Sequence, residues 1–397
     1  MRLQSNEMKE PNGTAPVDQT APHEYCDALA AQQRATASLN AKFERLAFDL
    51  HDGDDGDFLS GWQCQNPFVS RFLSNVRQRA ETLDHRRYSY FDAHSELGQS
   101  ILDHHTCLDG VRPEAVLCGC GTTSLLFTWA TYLRSIGVSR VYYLPPLYIT
   151  LHTALDRYGI RTIPLTARQP YEPSYDFELP DEPGATLLLT DPVWYAGVTI
   201  PPHFISRVAE WQRRVSATVF VDGTLQYLPW GDKRGEGTAA LDSELTFRLV
   251  CPSKQLCVHG YRFSYMLLPS AHFRGLAWTY TNLFGPAPAD SIAFAYEAMA
   301  ALREATIPNQ LMTLVSRRYR HLLGINAIAS DLSPTCGYFV FVQVRAPLPV
   351  GYVLLDGAYF DQHEYAGYTK LNLLSPSLHL IGGDTLPTPG SEACPNA

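Results

Sequence analysis

The chain has 397 residues, 45% of them hydrophobic and 18% charged, a globular balance long enough for two domains or for one large domain with a smaller companion. A formal net charge of -9 and a sequence pI of about 5.8 argue against a nucleic-acid polyanion as the main partner. No apolar run approaches the ~20 residues of a membrane span, and the polar residues 1–23 lack the apolar core of a secretory signal, so a cytoplasmic protein with no membrane partner is expected.

Residues 1–24 read as a disordered tail, and 25–60 as a helical stretch that breaks in the Asp/Gly-rich run 51–57 and forms the N-terminal segment of a small domain. From residue 115 the pattern alternates. Short β-type runs at 115–118, 141–144, 186–190, 218–221, 245–250 and 263–268 are separated by helix-length segments at 122–135, 149–158 and 202–214. The last of these starts with two prolines, which suit a first turn that needs no N–H donors. Alternating strand and helix predicts an α/β fold, a mostly parallel sheet with helices on both faces. A Gly/Pro-rich break at 285–288 precedes a long helical stretch, and β-like runs at 338–344 and 369–374 predict a smaller α+β domain. The expected division is a large domain over 61–288, a small one over 289–375, and a partly ordered tail rich in Pro, Gly and Ser over 376–397. There is no internal repeat.

The nine cysteines are odd in number and several, Cys118, Cys120, Cys251 and Cys257 among them, lie in apolar runs, so reduced thiols fit better than a disulfide framework. No second Cys or His pair completes a zinc site with Cys118 and Cys120, and His104 and His105 read as surface or satisfied side chains; no metal is expected.

Four features stand in one order along the chain. Cys118-Gly-Cys-Gly121-Thr122-Thr123-Ser124 follows a strand and precedes an apolar helix. Its glycines let backbone approach an anion, and the helix N-terminus supplies free N–H groups. Asp222 ends the run Thr218-Val-Phe-Val, at the carboxyl end of a strand where open α/β sheets bind ligands. Ser253-Lys254 follows another strand. Of the five lysines, Lys254 alone follows a strand between apolar residues, where a depressed pKa makes the amine a nucleophile. Gly260-Tyr-Arg262 comes eight residues later, with a guanidinium suited to phosphate oxygens. Taken singly, each also fits a plain turn, a helix cap or a surface charge.

Together they resemble a family. Ser253-Lys254…Gly260-Tyr261-Arg262 is similar to the Ser-Lys…Gly-x-Arg signature of the fold-type I enzymes of pyridoxal 5'-phosphate (PLP), class I/II aminotransferase group, and the resemblance spans about 66–374. Tyr90…Glu96-Leu97 resembles the family's tyrosine and Glu-Leu-Arg segment, Gly121-Thr122-Thr123 its phosphate turn, and Pro146-Leu-Tyr148 its Pro-x-Tyr. Asp191-Pro192…Gly197 is similar to its Asn-Pro-x-Asn-Pro-x-Gly loop, and Gly357-Ala-Tyr-Phe360 to its Gly-x-x-Phe turn. The resemblance implies a PLP enzyme acting on an amino acid, with Lys254 as Schiff-base lysine and general acid/base and Asp222 on the pyridine nitrogen. It implies Tyr148 stacked on the ring, and Gly121, Thr122, Thr123, Ser253 and Arg262 on the phosphate. It implies a homodimer with a shared active site, to which Tyr90 or Tyr88 is given by the partner chain.

Three departures bear on the reaction. Trp194 stands where the family has an asparagine that donates to the cofactor's phenolic oxygen, and Leu225, next to Gln226 and Tyr227, stands where a tyrosine usually donates to the same oxygen. The indole of Trp194 is either a replacement donor or packing. Lys370 replaces the family's carboxylate-clamping arginine, keeping charge but losing the two-point fork; it and Tyr195 are the candidate substrate contacts. Residues 375–397 do not resemble the helix that normally follows. These changes suit a transaminase of unusual specificity. They also suit a specialised-metabolism enzyme of the same fold, in which loss of the α-proton leads to elimination, oxidation or cyclisation. A PLP-binding regulator would need a DNA-binding segment, and no helix-turn-helix pattern precedes the motifs. A cofactor-free structural protein leaves Asp222, Lys254 and Arg262 unexplained.

Overall fold

The structure, a computed structural model, describes residues 59–110, 112–231, 237–348, 354–357, 363–365 and 367–389. The tail 1–24, nearly all of the helical stretch 25–60, Lys233 and the Gly-x-x-Phe turn beyond Gly357 lie outside the described residues.

Two helices come first, α1 (Ser70–Glu81) and α2 (Ser95–Asp109). Then β1 (Ala115–Gly119), α3 (Thr122–Ser135), β2 (Arg140–Tyr143), α4 (Ile149–Arg157), β3 (Arg161–Pro164), β4 (Thr186–Thr190), α5 (Pro202–Val215) and β5 (Thr218–Asp222) alternate. β6 (Thr246–Val250), the one-turn helix α6 (Pro252–Gln255), β7 (Ser264–Leu268) and α7 (Ser270–Phe284) follow. The strands form one seven-stranded sheet in the order β1-β7-β6-β5-β4-β2-β3. All pairings are parallel except those of β7, which runs antiparallel to both β1 and β6. The expected mostly parallel sheet is present; the direction of β7 was not foreseen.

The packing explains why β4, β6 and β7 carry apolar residues without polar alternation: every residue in them is buried. Successive side chains feed opposite layers. Leu188, Phe220, Phe247 and Met266 point into the layer of α3, α4 and α7. Leu187, Val219 and Val221 point to α5, and Val250, Tyr265 and Leu267 to α1, α2 and the later α8 (Ala289–Glu304). Helices therefore cover both faces. Trp129 of α3 is fully buried against Phe220, ring centroids 4.3 Å apart.

α8 and α9 (Thr306–Gly324) make up the long helical stretch. An antiparallel sheet follows, with β8 (Ile328–Ala329), β9 (Phe339–Val344), β10 (Leu355–Asp356) and β11 (Thr369–Asn372) in the order β10-β11-β9-β8. The smaller α+β part is present, and after β11 the described chain has only short turns and the single-turn helix His379–Gly382. His104 and His105 are not on the surface as one reading allowed. Both are buried, and His105 is bonded through Nδ1 to Asp109 Oδ2 (3.1 Å) and through Nε2 to Tyr265 OH (2.9 Å). The seven cysteines among the described residues are free thiols. No helix among the described residues is long and apolar enough to cross a membrane.

Candidate active site

The carboxyl ends of β4, β5 and β6 deliver the polar residues of one cavity. β5 ends on Asp222, which is 5% exposed. Its Oδ1 accepts from Thr224 N (3.2 Å) and Thr224 Oγ1 (2.5 Å). Burial pushes the Asp222 pKa up, and Thr224 and the charge of Lys254 pull it partly back. β6 runs into Cys251, whose carbonyl accepts from the N–H groups of Lys254 (3.0 Å) and Gln255 (3.1 Å), so the lysine leaves the sheet at the start of a single turn. Burial holds the Lys254 ammonium below its usual range, while Cys251 and Asp222 oppose the shift. Lys254 Nζ lies 3.3 Å from the centroid of the Trp62 ring and 5.8 Å from that of Tyr148. Burial raises the Tyr148 phenol to about 12, so at neutral pH it is an uncharged ring.

The Ser253 hydroxyl sits 2.9 Å from both the Tyr261 and the Phe263 carbonyl oxygens and pins the loop between lysine and arginine. That places Arg262 over the turn before α3. Gly121 has φ +88°, and a Cβ built there would lie 2.5 Å from Arg262 Nη2. Glycine is required both for the backbone angle and for the guanidinium. Tyr280 OH accepts from Cys120 N (2.8 Å) and fixes the turn from below. Thr122 lines the cavity, Thr123 is exposed at the helix N-terminus, and the Ser124 hydroxyl is turned back onto Gly121 O (2.8 Å).

Thr122, Tyr148, Trp194, Asp222 and Lys254 thus face one space, with Arg262 and Gly121 at its rim. Other expected residues stand apart. Tyr195 is buried and turns away, its OH 2.9 Å from Tyr171 OH and its ring edge-on to Phe341. Tyr90 lines a second cavity with Asp92, Cys118 and Tyr280. Lys370, 1% exposed on β11, reaches the site from the side: its Nζ is 3.9 Å from the Phe339 ring centroid, 4.2 Å from Trp62 and 5.0 Å from Trp194. Burial drives its pKa well down, the neighbouring Lys254 adds to this, and among the described residues no carboxylate pairs with it.

Three contributors carried no motif. Trp62 comes from a strap before α1, Thr224 holds Asp222, and Thr190 places in the cavity wall a buried Oγ1 with no hydrogen-bond partner among the described residues. A lone tryptophan in Gly61-Trp-Gln63, within a polar stretch, was the only signal for the first.

The donor set fits PLP. A turn whose missing Cβ makes room for a guanidinium, beside a helix N-terminus, is a cradle for phosphate. A buried carboxylate opposite a buried amine suits a ring nitrogen at one end and an aldehyde at the other.

No family model matches the sequence, and no curated protein matches it. Solved structures do. N-succinyldiaminopimelate aminotransferase from Mycobacterium tuberculosis superposes with a TM-score of 0.68 at 17% identity, over 87% of this chain and 94% of that one. Substrate-bound BacF from Bacillus subtilis gives 0.70 at 13%, over 88% and 96%. A single mutant of Thermus thermophilus aspartate aminotransferase gives 0.69 at 16%, over 87% and 94%. The chain has the fold of the fold-type I PLP aminotransferases.

Proposed function

We propose that this chain is a PLP-dependent enzyme of aminotransferase type that acts on an amino acid, with Lys254 as the lysine bonded to the cofactor. The observation that carries this is the meeting of a buried amine, Lys254, and a buried carboxylate, Asp222, in one cavity whose rim is the Gly121–Arg262 cradle. When bound, PLP supplies an electron sink that weakens the bonds at a substrate's α-carbon.

The rest falls to the chain. Burial favours the uncharged Lys254 amine, the form that bonds to an aldehyde carbon and that accepts and returns an α-proton. A cationic ring nitrogen opposite Asp222 restores the charge that burial disfavours, and Thr224 holds the carboxylate in line. Tyr148 and Trp194 wall the space and keep water out. Gly121, Thr122, Thr123 and Arg262 receive the phosphate, and Ser253 sets the loop that brings Arg262 there. Lys370 receives a substrate carboxylate, which supplies the counter-charge its surroundings lack.

A second copy of the chain completes the site in this reading. Tyr88, Trp278, Leu283 and Phe284 are exposed apolar side chains, Tyr88 by 85% and Trp278 by 72%, next to the cavity that Tyr90 lines. The second reaction class, loss of the α-proton followed by elimination, oxidation or cyclisation, is favoured by Leu225, an apolar side chain lining the cavity where similar enzymes carry a tyrosine.

Borohydride reduction of PLP-treated protein, followed by peptide mapping, tests the assignment. A cofactor-sized adduct is expected on Lys254 and absent from Lys254→Ala. An adduct on Lys370 or Lys233, or none, overturns it.

A further inference from the structure

The strap over residues 59–65 is stapled to β11 and the residues just after it. Asn372 N donates to Leu59 O (2.8 Å) and Gln65 N to Leu374 O (2.8 Å). The fully buried Asn372 amide donates twice, to Gly61 O (2.9 Å) and Gln63 O (2.8 Å), and so brackets Trp62. The indole is fixed in turn. Phe339 meets it edge-on at 4.6 Å and 82°, and Trp194 lies nearly parallel to it, 18° apart at 6.0 Å. It sits 3.3 Å from Lys254 Nζ and 4.2 Å from Lys370 Nζ. Any molecule whose reacting carbon approaches Lys254 while its carboxylate approaches Lys370 must lie against this ring.

The walls restrict what that molecule carries. Tyr148, Trp194 and Trp62 present ring faces and edges, with Leu225 and Pro192 beside them, and among the described residues of one chain Asp222 is the one carboxylate in the lining. A basic side chain finds no second acid, and an acidic one must be desolvated against indoles. A flat apolar ring replaces water on those faces and gains the ring–ring contact as well.

We propose that Trp62 determines the substrate class of this site: it takes amino acids whose side chain is an apolar aromatic ring packed against the Trp62 indole, with Asn372 as the positioning residue that holds Trp62 in place. This rests on the reading of Lys254 as the reacting amine. PLP-loaded protein, confirmed by the Lys254 adduct, is titrated calorimetrically with three unreactive acids: 3-phenylpropanoate, propanoate and glutarate. In the wild type 3-phenylpropanoate is expected to bind at least tenfold tighter than either of the others. Trp62→Ala removes that preference, 3-phenylpropanoate falling to the affinity of propanoate in the same variant, and Trp62→Phe keeps most of it. Asn372→Ala lowers the preference along with the thermal melt, and a preference unchanged in Asn372→Ala rules it out as the positioning residue. Equal binding of the three acids by the wild type, tighter binding of glutarate, or a preference that survives Trp62→Ala overturns the proposal. The ranking of acids needs no chemistry, so an adduct found away from Lys254 counts against the assignment of the lysine and not against the ring platform.

Discussion

Gly121→Ala isolates the cradle. The new methyl meets Arg262 at 2.5 Å from Nη2, 3.1 Å from Cζ and 3.3 Å from Nε. The obstacle is the far end of a flexible side chain, so the arginine moves away, and the loss appears in phosphate binding more than in packing. Two terms follow. The backbone angle, φ +88° with ψ 165°, is one that only glycine holds comfortably, and costs about 1–3 kcal/mol of stability with any other residue. Displacing an exposed guanidinium from a phosphate costs toward the lower end of the ~1.5–3 kcal/mol of a charged hydrogen bond, roughly a 10- to 30-fold weaker PLP dissociation constant. Gly110→Ala is the control for strain, with φ +71° and nothing within 4 Å of the new Cβ. Gly110→Ala should lower the melting temperature and leave PLP binding alone, whereas Gly121→Ala should lower both. The cycle with Arg262→Ala separates the guanidinium from everything else, because without Arg262 the added methyl has nothing to displace. If Gly121→Ala weakens PLP as much in the Arg262→Ala background as in the wild type, the methyl acts directly on the ligand and the argument through Arg262 is wrong.

Two further outcomes are expected. Lys370 has a pKa well below its ordinary 10.5 in the folded chain, so the unfolded chain binds the extra proton and stability rises with pH between the depressed value and 10.5. Lys370→Met should therefore melt higher than the wild type at pH 7, with the gap closing as the pH approaches 10.5; a gap independent of pH would mean the amine is charged in the fold. Tyr280→Phe leaves the Cys120 N–H without its acceptor and should cost about 1–3 kcal/mol, read as a lower urea midpoint. An unchanged midpoint would mean water takes over the bond.

What was legible in the chain was what depends on near neighbours. The β-type runs over 115–268 showed because strands buried on both faces are mostly apolar, with Arg248 in β6 held by Asp109 and Tyr227, and Lys254 stood out because it follows one of them. β3 was missed for the converse reason: Arg161-Thr-Ile-Pro is an edge strand with both end residues exposed and a proline, and carries no apolar run. The antiparallel course of β7 leaves no trace in composition. Tyr195 is a candidate substrate contact in the sequence, yet it sits in a tight turn closed by Ala196 N and Gly197 N on Val193 O, and its hydroxyl points to Tyr171. Trp62 carried little signal because the residues that give it meaning, from Tyr148, Trp194 and Lys254 to Phe339, Lys370 and Asn372, are far from it in sequence.

That separation has a consequence during synthesis. The sheet, the phosphate turn, Asp222, Lys254 and Arg262 are all made by residue 268, whereas the Ser60–Lys370 bond spans 310 positions. At ~5–20 residues per second, the strap waits roughly 15–60 s for the strand it pairs with. For the last ~116 of those positions, roughly 6–23 s, a nascent chain already holds Lys254 in the turn after β6, but the indole that will cover it has no backbone to lie on. The Gly121–Arg262 cradle with Lys254 and the indole wall beside it are thus separate acquisitions on the ribosome, and a chain stopped before residue 369 possesses the first without the second.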